Sequence, residues 1–125
     1  MKSLQKTGTL PFLIWAGLIL IVSSIPGQQM PEMTSFWQWD KIAHFAEYCI
    51  LGLLLMRRIF LVNPDATART IALWICAALV FALIDEMHQL VIPNRMCTWQ
   101  DYSANSLGVL AGFGVHHLFH EKSKR

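Results

Sequence analysis

The stretch that decides the fold is DEMHQLVIPNRMCTWQDYSANSLGVLAG, residues 85–112. It begins with two adjacent carboxylates, Asp85 and Glu86, at the end of a long apolar run. It then crosses a short loop that holds Arg95 and enters a second apolar run through polar residues and glycines. Charged residues within membrane-length helices cost free energy, so their presence indicates a candidate functional site.

The composition around this stretch is that of an integral membrane protein. The chain has 125 residues, which on length alone predicts a single domain over residues 1–125. Hydrophobic residues make up 54% and charged residues 14% of the chain, against roughly 25% charged in ordinary soluble domains. The cysteines show no CxxC or Cys/His ligand spacing, which argues against a disulfide framework or a zinc site.

Four apolar runs predict an all-α integral membrane bundle of four transmembrane helices. Their expected bounds are about 8–25, 41–62, 70–92 and 102–119, close to the ~20 residues that span a bilayer. The first run follows a basic start and therefore also resembles a signal peptide. We favour an uncleaved transmembrane helix. The basic segments of the chain share one side of the membrane only if this first run spans the bilayer and the loop after it faces outward.

Basic residues lie mainly in segments that a four-helix topology places on one side of the membrane. Cytoplasmic loops carry an excess of Lys and Arg, so both termini are predicted to be cytoplasmic. The chain would then be a multi-pass protein of the plasma (inner) membrane, with the lipid bilayer as its surroundings. Eight of the ten basic residues follow this pattern, namely Lys2, Lys6, Arg57, Arg58, Arg69, Lys122, Lys124 and Arg125.

Polar residues of the second, third and fourth helices are predicted to meet at the opposite, extracytoplasmic end. Those that end the third helix are i,i+3 and i,i+4 neighbours. Those of the second helix share one stripe, which contains Asp40, Lys41, His44, Glu47 and Tyr48. In the fourth helix Gly108 and Gly112 form a GxxxG pair, which allows close helix packing. The candidate binding residues are Asp40, Lys41, Tyr48, Gln89, Arg95, Asp101 and Asn105.

Asp85 and Glu86, with His44, are the candidate acid–base residues. Two close carboxylates can share one proton, which suits general acid–base work. The same oxygens could instead hold Mg²⁺ or Ca²⁺. Since Lys41 and Arg95 already neutralise the acids, we expect no metal and no other cofactor. The pattern leaves open whether the chain is an enzyme.

The polar cluster also has a purely structural interpretation, in which it only holds the helix ends together. An interhelical polar contact contributes only ~0.6 kcal/mol to stability on average. Helix packing alone therefore gives little reason for so many acids. Single residues such as Tyr48 and Asn105 could be plain interhelical hydrogen-bonders, and Asp40 and Asp101 could cap their helices. His88 points away from the stripe of the third helix, and no Ser or Cys nucleophile is expected beside a base.

Three motifs in this order resemble the VanZ-like family of small bacterial membrane proteins. They are D-K-x-x-H-F-x-x-Y from Asp40, D-E-x-x-Q from Asp85, and R-x5-D-x3-N-x2-G-x3-G from Arg95. The resemblance covers about residues 39–114. Relatives often carry Gly before the motif arginine. This chain has Asn94 there, so we expect the turn to differ while Arg95 keeps its role.

The resemblance implies a polytopic protein of the bacterial plasma membrane. The family is named for a factor in resistance to teicoplanin, a glycopeptide antibiotic that acts outside the membrane. A link to antibiotic resistance is therefore one implication for this chain. An outward-facing site agrees with the topology that the charge distribution predicts.

The leading hypothesis is an outward-facing pocket that binds or processes a cell-envelope component, either a lipid headgroup or a lipid-linked cell-wall precursor. Arg95 and Lys41 would contact its anionic groups. A second hypothesis is a non-catalytic accessory or assembly protein whose polar cluster locks the helices while Gly108 and Gly112 meet a membrane-protein partner. Proton or ion movement is a third, weaker because the charges stop in the outer third of the helices. No nucleic-acid partner is indicated.

Overall fold

The computed structural model describes residues 2–29 and 37–123, with the side chains of 8–29 and 39–119. Within these residues the chain is all-helical and contains no strand, which confirms the predicted all-α class. The predicted orientation depends partly on the basic residues before position 8 and after position 119. Their side chains lie outside the described residues.

Four α-helices and one short 3-10 turn make up the described part of the chain. The turn, Gly27–Gln29, follows the first helix. Each helix begins earlier than its predicted bounds, and the first and third also end earlier. The helices are α1 (Lys2–Ser23), α2 (Trp37–Val62), α3 (Ala68–Gln89) and α4 (Trp99–Ser123).

The earlier helix starts change the positions of two acids that were considered as caps. Asp40 lies inside the first turn of α2, where a carboxylate interacts favourably with the helix dipole. In α4 the cap is Thr98, whose hydroxyl oxygen accepts from the Asp101 backbone N–H at 3.2 Å. The Thr98 hydroxyl also donates to the Asp101 carboxylate. Capping by Asp40 or Asp101 is therefore wrong, and the T-x-x-D spacing is the signal that was missed.

Glycines bring the backbones of α2 and α4 into contact. A Cβ atom on Gly52 would collide with the Val109 carbonyl oxygen, and one on Gly108 would collide with the Phe45 carbonyl oxygen. At Gly112 an added Cβ would meet the Leu53 backbone nitrogen at 2.7 Å. The GxxxG pair of α4 is thus covered by α2 of the same chain.

The ends of α1 and α3 meet the starts of α2 and α4 at one end of the bundle. The Trp15 indole donates to the Glu47 carbonyl at 2.9 Å and joins α1 to α2. The Gly27 backbone N–H donates to the Pro93 carbonyl at 3.0 Å and joins the connection after α1 to that after α3. Gly27 and Asn94 therefore lie beside the polar starts of α2 and α4.

The bundle is polar inside at this end and apolar over much of its outer surface. The rest of the described core is apolar and includes Leu51, Leu55 and Phe113. By length and apolar composition, α3 is the one helix among the described residues that is able to cross a bilayer; Gly8–Ser23 is a shorter apolar segment. Large apolar side chains that face outward include Leu13, Ile21, Leu73, Val80, Ile84, Leu107 and Phe119.

Asn94 is the residue whose backbone shapes the connection between α3 and α4. Its φ is 57°, in the left-handed region that Gly and Asn adopt most readily. We expect Asn94→Gly to leave thermal stability unchanged or raised, and Asn94→Val to lower it by about 1–2 kcal/mol. Thermal unfolding of the purified variants in detergent measures both. Equal stability of the valine and glycine variants would contradict this conformation.

Candidate functional site

A polar cavity of about 330 Å³ lies at the end of the bundle where α2 and α4 begin. Its volume is at the lower end of the roughly 300–1,000 Å³ that small-molecule sites occupy. Residues from α2, α4, the end of α3 and two connections form its wall. They are Gly27, Asp40, Lys41, His44, Gln89, Asn94, Arg95, Met96, Thr98 and Asp101.

Lys41 joins α2 to α4 through two carboxylates. Its ammonium donates to Asp40 at 3.1 Å and forms an ion pair with Asp101. The side chain of Asp101 is only 4% exposed, whereas that of Asp40 is 53% exposed. The Lys41–Asp101 pair is therefore the buried part of this group, and Asp40 faces the open side.

His44 connects the cavity to a buried carboxylate through an amide. Its Nδ1 lies 3.0 Å from Asn105 Oδ1, and the Asn105 amide nitrogen donates to Glu86 Oε1 at 2.7 Å. His44 Nε2 lies 3.8 Å from Asp40 Oδ1, beyond hydrogen-bond distance. Asn105 and Glu86 are almost fully buried. His44 thus lies between the open cavity and the interior.

A second buried hydrogen bond ties α2 to α3. The Tyr48 hydroxyl donates to Asp85 Oδ2 at 2.8 Å, and both side chains are inaccessible to solvent or nearly so. Asp85 Oδ1, Glu86 Oε2 and Gln89 Nε2 have no hydrogen-bond partner among the described residues. Of these three side chains, only Gln89 lines the cavity. It offers an unused donor there although it is 2% exposed.

Arg95 lies in the cavity wall and, contrary to the expectation that it neutralises the acids, forms no ion pair with a described acid. No carboxylate among the described side chains forms a salt bridge with it. Its Nε is buried and has no hydrogen-bond partner there. A guanidinium group presents several donors in a planar fork, which matches carboxylate or phosphate oxygens. Arg95 is therefore available to an anionic ligand.

A cation-binding arrangement occurs in the same wall but already contains a cation. Asp40, His44 and Asp101 place ligand atoms within 4.8 Å of one another, which is a spacing that suits a metal ion. The Lys41 ammonium contacts both carboxylates. The lysine supplies the positive charge that a metal would otherwise provide, so the donor set does not require a metal.

One serine, Ser24, lies beside a histidine, His88. Ser24 Oγ is 3.1 Å from His88 Nε2, but the Ser24 hydroxyl also donates to the Leu20 carbonyl at 2.7 Å. Because the serine proton is used in that bond, His88 donates to Ser24 and does not act as its base. The contact joins the end of α1 to α3, and neither residue lines the cavity.

Cys97 is also unsuited to nucleophilic chemistry. It lies in the connection before α4, near the cavity. Partial burial raises the pKa of the Cys97 thiol, and the carboxylates of Glu86 and Asp101 raise that pKa further. The thiol therefore stays protonated at neutral pH, and a protonated thiol is a poor nucleophile.

The structure divides the predicted site residues into a lining layer and a buried layer. Asp40, Lys41, His44, Gln89, Arg95 and Asp101 line the cavity. Tyr48, Asp85, Glu86 and Asn105 lie behind it, and Gly108 and Gly112 form the α2–α4 contact.

Some positions differ from what helical periodicity predicts. Glu47, on the predicted stripe of α2, lines a separate apolar pocket with Trp15 and Ile19. Gly27 and Thr98 line the cavity but were not predicted. The T-x-x-D cap could have identified Thr98, whereas the sequence contains no signal for Gly27.

Comparison with known proteins gives the family of the chain. The family model described as VanZ/LLP1 matches residues 9–120, which is most of the chain. No curated protein and no solved structure gives a significant match. The resemblance carried by the three motifs is therefore confirmed over a longer region than the motifs themselves cover, and the chain belongs to the VanZ/LLP1 family.

Proposed function

We propose that the chain is a plasma-membrane protein whose cavity binds the anionic headgroup of a cell-envelope lipid or lipid-linked cell-wall precursor. The cavity would face the extracytoplasmic side, with both termini in the cytoplasm. The observation that carries this proposal is the guanidinium group of Arg95, which lies in the cavity wall and forms no ion pair with any described carboxylate. Family membership supports the membrane location and a connection to antibiotic resistance.

The surface of the bundle supports a location within the bilayer. Large apolar side chains point outward along the helices, while Asp85, Glu86 and Asn105 are buried. A contiguous exposed apolar surface is unfavourable in water and favourable in lipid. Ionisable residues within a membrane face the bundle interior and mark functional sites. A polar cavity in such a bundle is open to a headgroup at the membrane surface.

The distribution of charge in the cavity supports an anionic ligand at one position. The lining contains two carboxylates, Asp40 and Asp101, and two cationic side chains, Lys41 and Arg95. Their total charge therefore does not determine whether a ligand is anionic or cationic. Lys41 is already engaged by Asp40 and Asp101. Arg95 forms no ion pair with a carboxylate in the described part of the chain, and a phosphate would accept charge-assisted hydrogen bonds from its guanidinium group.

A second candidate function is that of an accessory protein in which the polar residues only lock the helices. The bonds Tyr48–Asp85 and Asn105–Glu86 favour it, since they join three helices without reaching the cavity. Gly108 and Gly112 pack against α2, so in this function the partner would have to bind another face. Ion movement is not proposed, because the rest of the described core is apolar.

Mass spectrometry of lipids and envelope precursors that co-purify with the protein tests the proposal. We expect an anionic species to be enriched with the wild type and to fall by about tenfold or more with Arg95→Gln, since a charge-assisted hydrogen bond contributes roughly 1.5–3 kcal/mol. Arg57→Gln is the matched control, because Arg57 is exposed near the opposite end of α2. Equal enrichment with both variants would refute a headgroup site at Arg95.

A further inference from the structure

The hydrogen-bond chain behind the cavity restricts the chemistry of the ligand. Building on the proposed function, we infer that the headgroup is a phosphate ester that carries a free hydroxyl, which donates to His44 Nε2. Phosphoglycerol and phosphosugar headgroups share this chemistry. Arg95 would bind the phosphate, and His44 would bind the hydroxyl.

The contact with Glu86 fixes the orientation of the Asn105 amide. Asn105 presents its NH₂ group to Glu86, and Glu86 Oε1 accepts this hydrogen bond. The nitrogen–oxygen distance of 2.7 Å agrees with this assignment. The Asn105 carbonyl oxygen is then directed at His44 Nδ1, 3.0 Å away.

The contact with Asn105 fixes the tautomer of His44. Since an amide oxygen only accepts, His44 Nδ1 must carry the proton and donate it to Asn105. In the neutral ring Nε2 is then an acceptor. The ring is 8% exposed and lines the cavity, so its orientation is set by the buried residues behind it. Asn105 and Glu86 are positioning residues in this arrangement.

The groups around His44 Nε2 determine what this nitrogen can bind. The carboxylate on the Nε2 side of the ring is that of Asp40, whose Oδ1 is 3.8 Å from Nε2 and is itself an acceptor. The Glu86 carboxyl group lies on the other side, 3.6 Å from Nδ1. Two acceptors side by side call for a donor from the ligand. An ammonium group would meet these acceptors next to Lys41, whose positive charge already lies at Asp40. Like charges repel, so a neutral hydroxyl fits this position better than an amine.

Binding to lipids with the same acyl chains tests this inference. Wild-type protein in detergent micelles is titrated with phosphatidylglycerol, with phosphatidylpropanol, which keeps the phosphodiester but lacks hydroxyls, and with phosphatidylethanolamine. We expect phosphatidylglycerol to bind about five- to tenfold more tightly than phosphatidylpropanol, because one hydrogen bond changes the affinity by about this factor. Competition by glycerol 3-phosphate would support the same chemistry from a soluble source.

Two variants of His44 form a matched pair for this measurement. An asparagine side chain ends near the position of Nδ1, whereas glutamine reaches the position of Nε2 and restores an acceptor there. His44→Asn should remove the preference for phosphatidylglycerol, and His44→Gln should keep part of it. The ¹⁵N chemical shifts of His44 in the wild type should show a protonated Nδ1 and an unprotonated Nε2.

The outcomes separate this inference from the proposed function. Equal binding of phosphatidylglycerol and phosphatidylpropanol, with both lost in Arg95→Gln, would overturn the hydroxyl and keep the anion site. Tighter binding of phosphatidylethanolamine, or a proton on Nε2, would also overturn it. If no anionic lipid binds, the proposed function fails as well.

Discussion

Replacing Gly112 by leucine is expected to prevent α4 from docking on α2. A Cβ atom at this position would meet the Leu53 backbone nitrogen at 2.7 Å and would collide with the Cys49 carbonyl oxygen. Backbone atoms cannot move aside as a flexible side chain can. We expect a loss of about 3 kcal/mol or more in the free energy of unfolding, at the upper end of overpacking effects. Denaturant unfolding in detergent measures this loss.

Gly114 is the matched control for this substitution. It lies on the same helix, is exposed, and has no atom within 4 Å of an added Cβ. Gly114→Leu should leave stability unchanged or raise it by up to about 1 kcal/mol, because leucine favours a helix more than glycine does. Similar losses for the two variants would show that α4 does not meet α2 through Gly112.

Removal of Lys41 should be the most damaging change at the cavity. Lys41→Met leaves the Asp101 carboxylate, which is 4% exposed, without its ion-pair partner. Breaking a buried pair by removing one member costs about 3–5 kcal/mol, because a buried charge stays uncompensated. The free energy of unfolding of the variant should fall by this amount relative to the wild type.

The double variant Lys41→Met, Asp101→Asn shows whether the loss comes from the ion pair. With both charges removed, no uncompensated carboxylate is left and most of the stability should return. A double-mutant cycle gives the coupling energy directly. If the losses of the single variants simply add in the double variant, the two side chains are not paired as described.

The helices were predictable because their patterns are local. Periodicity placed Asp85, Glu86 and Gln89 on the inner face of α3, and all three are buried there. Periodicity does not predict how deeply each side chain lies in the bundle. Gln89 lines the cavity, whereas the two acids lie behind it. Depth depends on where neighbouring helices lie, and a pattern within one helix contains no such information.

The contacts between connections could not be predicted from local patterns. Gly27 contacts Pro93 and Asn94 across a long separation in sequence, because helix packing brings the two connections together. The start of α4 was predictable in principle, since Thr98 and Asp101 have the spacing of a cap. The Asn94 conformation is one that Gly also adopts readily, so glycine is compatible with the backbone at this position.

The central claim is that Arg95 binds the phosphate of a headgroup within the cavity. Solid-state NMR dephasing between lipid ³¹P and arginine side-chain ¹⁵N tests it in bilayers of phosphatidylglycerol. Subtracting the signal of Arg95→Gln from that of the wild type isolates Arg95 from the other arginines. We predict strong dephasing that disappears in the variant and persists in Arg57→Gln. Identical dephasing in the wild type and Arg95→Gln would contradict the claim.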